Sequence, residues 1–187
     1  MADLDPISAV HQAVEDRLKV FFPKWHMEPV PAVLTLQEFT TLMGRTPWIG
    51  IAWTGFTPDA KSGRQLHGSH VLRLTMALKN PGRGGRFTGD QHAPGLYPAF
   101  ATLIGALQGH TLPGHGTIAI TKADQSFADG YGDKSVALGI VEISVGPQAF
   151  SAPFGALADA PAFVALVATY ETSDGATVTD TISMGSP

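Results

Sequence analysis

The chain has 187 residues, 44% of them hydrophobic and only 15% charged, with a net charge of −4 and no cysteine. That length suits one domain with a small appendage and buries a core without metals or disulfides. The missing cysteines exclude disulfides, thiol catalysis and cysteine-based zinc or iron–sulfur sites. The negative balance gives no case for nucleic-acid affinity. So few charges leave less solvated surface than an ordinary monomer shows, which points to surface covered by partners. The opening Met1-Ala2-Asp3-Leu4-Asp5 has neither a basic region nor a long apolar run, so no signal peptide is expected. No apolar stretch reaches the roughly 18 residues that span a bilayer, and a soluble protein that stays where it is made is expected.

Asp5-Pro6 starts a helix, with Asp as N-cap and Pro at the first helical position. Ile7, Val10, Val14, Leu18 and Phe21 recur at helical spacing, and Pro23 stops the run. Pro29-Val30-Pro31 is extended by the restriction that proline places on its neighbours. Thr35-Leu36-Gln37-Glu38 matches a capping box and opens a short helix to Met43, with Gly44 at its end. Trp48 to Trp53 is a strand running into a loop over Gly55–Gly63, and His70–Leu78 alternates as a second strand able to pair with it as a hairpin.

Asn80–Gly95 is a loop of about 16 residues, long for a compact domain and therefore a candidate for function. Within it Pro81–Asp90 is too rich in Gly, Pro and Arg for regular structure. Leu96, Phe100, Leu103, Ile104 and Leu107 form the next helical stripe, ended by Gly109. Thr117–Thr121 and Val136–Val145 are strands flanking the polar tip Asp129-Gly130-Tyr131-Gly132-Asp133. After Gly146-Pro147 an Ala/Pro/Phe-rich arm leads to two strands, Phe163–Tyr170 and Ala176–Ile182, around Ser173-Asp174-Gly175. The expected fold class is α/β (α+β), a mainly antiparallel sheet with helices packed on it plus a C-terminal β-hairpin. Residues 1–146 form the α/β domain, and 147–187 the arm and hairpin, packed on that domain or on a neighbouring subunit.

The sequence carries no catalytic constellation, and the chain reads as a non-enzyme without cofactor or metal. His67 and His70 have HxxH spacing, and His110 and His115 bracket a turn. However, zinc needs three or four converging ligands, and no Glu stands between the first two as a base. Gly132-Asp133-Lys134-Ser135 approaches a phosphate loop, but Asp133 breaks the pattern and a strand follows. Asp124, Asp129 and Asp133 lack calcium-loop spacing, and the serines lack a nucleophile elbow. Trp25, Trp48 and Trp53 suit core packing. Arg83 and Arg86 give the long loop positive charge suited to an acidic partner surface.

The element order resembles the tail terminator proteins of long-tailed bacteriophages, in particular the Mu-like tail terminator family of contractile phages and prophages. The resemblance rests on the helix Ile7–Phe22, the strands Trp48–Gly55 and His70–Lys79, and the helix Leu96–Leu107 with Gln108-Gly109. It continues through Ser135–Ser144 and the ending from Tyr170-Glu171 to Thr179-Asp180-Thr181-Ile182. It covers most of the chain and is carried by pattern rather than by one diagnostic motif. It implies a structural virion protein that forms a self-assembled ring, typically a hexamer, at the head-proximal end of the tail. Such a ring ends tube growth and meets the tail tube protein, the tail sheath protein and the head–tail connector protein. No membrane or sequence-specific nucleic-acid contact is implied, with DNA passing through the bore. The implied location is the neck of the virion, and the host cytoplasm during assembly. On this reading Arg83, Arg86, Phe87 and Tyr131 are the expected partner contacts. The alternatives are another head–tail completion or baseplate protein and, from a different class, a histidine-metal enzyme.

Overall fold

A computed structural model describes residues 5–60, 62, 66–80, 82, 84–91, 94–126 and 136–150, and the two strands at 165–171 and 177–183. The chain divides into two units, Met1–Ala152 and Pro153–Pro187.

The first unit opens with α1, Pro6–Phe21. Asp5 caps it as expected: its carboxylate accepts the Ile7 and Ser8 N–H groups, both at 3.0 Å. These bonds satisfy donors that the first helical turn leaves without partners. Val10, Val14 and Leu18 are fully buried, and Phe22 continues the stripe. Phe21 does not: it turns outward under the Arg17 guanidinium, 4.6 Å from its ring centroid. A four-residue strand, β1 (His26–Pro29), follows and pairs in parallel with β2 (Trp48–Pro58). Between them lie α2 (Leu36–Leu42) and a 3₁₀ turn over Met43–Arg45. The expected capping box is present, with Thr35 N–H and hydroxyl donating to Glu38 and the Glu38 N–H returning to Thr35 Oγ1.

The remaining elements are β3 (His67–Lys79), α3 (Gly85–Thr88), α4 (Leu96–Leu107), β4 (Thr111–Leu112), β5 (Gly116–Ser126) and β6 (Val136–Ala149). The six strands form one sheet in the order β1-β2-β3-β6-β5-β4, antiparallel except for β1 against β2. This is an α+β fold. The predicted hairpin of β2 and β3 forms, with Ile51 opposite Leu74. Four strands run longer than predicted: β3 starts at His67 and β6 ends at Ala149, and the other two are β2 and β5. β2 continues through a bulge at Trp53/Gly55 to Pro58, and β5 runs on to Ser126. The boundary expected at Gly146 falls inside β6, which keeps its ladder with β3 as far as Ala149.

Strand alternation sorts the two faces of the sheet. Leu72, Leu74, Met76 and Leu78 of β3, with Val141, Ile143 and Val145 of β6, meet α1 and α4 in the main core. On the opposite face Trp48, Ala77, Leu138 and Leu42 form a smaller cluster under the segment that carries α2. Beyond that cluster Arg73 crosses to Glu142 at 2.9 Å and also donates to the Ala32 carbonyl. Gly139 leaves room for the Phe100 ring of α4: a Cβ there would run into that ring.

The second unit contains the predicted terminal hairpin. β7 (Ala165–Glu171) pairs antiparallel with β8 (Thr177–Ser183), Tyr170 opposite Val178.

Candidate partner interface

The long loop after β3 is folded on itself, which corrects the expectation that Pro81–Asp90 holds no regular structure. Asn80, only 2% exposed, is the anchor. Its carbonyl oxygen accepts the Gly82 N–H at 2.8 Å and its amide donates to Asp90 at 3.0 Å. The short helix α3 fits beneath this pair because Gly85 has no Cβ to strike the Asp90 carboxylate. Gly95 likewise allows the chain to pass close to Gly89 and the Phe87 carbonyl as it enters α4. A loop rich in Gly is thus closed by one buried amide side chain, which composition alone does not show.

The turn aims two of the predicted contact residues at one place. Phe87 is half-buried against the main core and stacks on Tyr97 of α4, with centroids 5.7 Å apart and ring planes at 32°. The half-buried Arg86 lies over Phe87, its guanidinium 5.3 Å from the ring centroid. Arg83 and Tyr131 lie outside the described residues.

From Tyr97 the surface continues along α4. Its inner side buries Leu96, Ala99, Leu103, Ala106 and Leu107, so Ile104, assigned to the buried stripe from spacing, lies instead on the outer side. That outer side exposes Tyr97, Pro98, Ala101, Thr102, Ile104 and Gly105 to solvent. The helix has no charged residue anywhere in its length. A solvent-facing helix normally carries charges opposite its apolar stripe. At its far end α4 is tied to α1, where Arg17 donates to the Ala106 carbonyl at 3.0 Å beside the exposed Val20 and Phe21. Arginine and aromatic side chains over a neutral surface are the composition enriched at protein interfaces. The signal was present in the sequence as twelve residues without a charge, but the outer side of the helix was legible only once the inner one was known.

Other candidates are committed to structure. A cleft of about 380 Å³ lies between β1 and α2, lined among others by Val30, Leu34, Leu42, Glu28 and Arg45. Its two carboxylates are engaged: Glu38 accepts from Thr35 in the capping box, and Glu28 accepts Trp48 Nε1–H at 2.9 Å and lies 3.3 Å from His26 and 3.5 Å from Arg45. Glu28 thereby holds the buried tryptophan in place. His70 is buried in an aromatic cluster, whereas His67 is exposed at the start of β3. Among the described residues no three His, Asp or Glu side chains come together as metal ligands. No helix there is long and apolar enough to cross a membrane.

The chain matches no protein-family model and no curated protein.

Proposed function

We propose that the chain is a structural assembly subunit, the tail terminator of a contractile-tailed phage or prophage of the Mu-like type. The observation that carries the assembly part is the outer side of α4, uncharged, open to solvent and bordered by Phe87, Tyr97 and Arg86. Exposed apolar surface of this kind is costly in water and is retained where a partner covers it. The phage role comes from the resemblance in element order, and the α+β fold with its mainly antiparallel sheet is compatible with it.

In this reading identical subunits close a ring through two different surfaces, and rotation closes a heterologous contact into a ring. The ring, a hexamer by resemblance, sits on the last tube ring, stops further addition and offers its other face to the head connector and the sheath. Long strands and folded loops suit this role, because each contact is weak alone and the closed ring gains by multivalency. The test is a paired substitution, Arg83→Glu with Arg86→Glu. The protein should keep its fold, and infectious particles should fall sharply in number. Normal particle yield from that variant would contradict the part given to the loop. Gene order separates a terminator from a baseplate part, since sheath and tube genes should lie directly downstream.

A further inference from the structure

At the end of the sheet away from α2, His70 is fully buried where β2, β3 and β6 meet. Phe56 stands edge-on to its ring at 5.0 Å and Phe150 lies 5.6 Å away. The Trp53 indole Nε1–H donates to His70 Nδ1 at 3.1 Å. Register shifts at Trp53/Gly55 in β2 and at Gly68/His70 in β3 flank the pair.

An indole N–H can only donate, so His70 Nδ1 must present its lone pair. The neutral ring therefore carries its proton on Nε2, which is buried with no hydrogen-bond partner among the described residues. Nδ1 is thus placed for the neutral ring, and among the described residues neither nitrogen has the acceptor that the cation would need. We infer that His70 is an acid-operated latch on Trp53. A proton taken from water onto Nδ1 sets one N–H against another, the bond to the indole opens, and the charged imidazole leaves its aromatic surroundings.

Among the described residues, the groups that face the ring do not compensate that charge. β2 from Trp53 to Pro58 and β6 with its continuation from Ile143 to Phe150 carry no ionisable side chain. The turn between β4 and β5 supplies His115, which is held to Gln148 and opposes a second positive charge. On β3 itself Arg73 is directed to Glu142 and His67 is exposed. Burial, with His115 second, accordingly holds His70 below the ordinary imidazole value.

The test is side-chain NMR of histidine-labelled full-length protein from pH 8 to pH 4, read together with tryptophan emission. Expected are the Nε2–H tautomer at pH 8 and a His70 midpoint below about 6.5. A change in Trp53 emission should share that midpoint, identified by its loss in Trp53→Phe. In His70→Gln, which keeps an acceptor for the indole but does not titrate, the emission change should vanish. An Nδ1–H tautomer, a midpoint at or above 6.5, or an unchanged transition in His70→Gln would each overturn the inference. The tautomer and midpoint are measured on the unaltered protein, so they decide the matter even if a variant fails to fold.

Discussion

Single side chains hold three critical places in this molecule, each by a different physical means. Asp5 supplies the acceptor that the first turn of α1 lacks, and the Ser8 hydroxyl and N–H groups hold its carboxyl below the usual carboxylate range. Asp5→Ala should therefore cost about 1 kcal/mol in denaturant unfolding. Asn80 satisfies both ends of a folded loop from a buried position. Asn80→Ala leaves the Gly82 N–H without its acceptor and should cost about 1–3 kcal/mol. An unchanged unfolding midpoint would mean that the loop does not depend on Asn80. His70 links stability to pH. Its folded form resists protonation, so between its own midpoint and about 6.5 the unfolded chain binds more protons and stability rises with pH. Stability should fall as pH drops through that window, and the slope should be shallower in His70→Gln.

At the scale of elements, α4 against β6 is the contact to disturb. Gly139→Val sets a branched side chain against the Phe100 ring and should destabilise by about 1–3 kcal/mol, the usual range for overpacking. A neutral result by thermal unfolding would mean that the Phe100 ring moves aside without cost. Much of this level was legible in the sequence. The ends of α4, the Asp5 cap, the Thr35–Glu38 box and the β2–β3 hairpin follow from local rules of capping and alternation, and local rules act within a few residues. What was not legible depends on distant partners. β1 joins the sheet by pairing with β2 across the intervening helix. The fold of the 80–95 loop depends on a hydrogen bond across ten residues. Phe21 and Ile104 have apolar spacing but face outward, because Phe22 completes the buried row on α1 and Ala99 and Ala106 fill the inner side of α4. Small side chains leave no mark on a hydrophobic stripe. The partner site was read in part: Arg86 and Phe87 border the neutral face of α4, a surface that spacing alone had assigned partly to the core.

At the scale of the whole molecule, a low-charge chain that buries its core and leaves the neutral outer side of α4 open fits the proposed role as one part of a larger object. Ala101→Glu with Ile104→Glu places two charges on that side at positions already facing solvent. The circular dichroism and melting of the monomer should change little, since such surface substitutions usually move stability by no more than about 0.5 kcal/mol, while self-association should fall markedly. The most direct measurement is electron microscopy of the purified protein with and without isolated tail tubes, with particle mass recorded on the same samples. The proposed function predicts rings, free or seated on one end of the tubes, with tube growth halted where they sit. A monomer that leaves every tube end bare would contradict it.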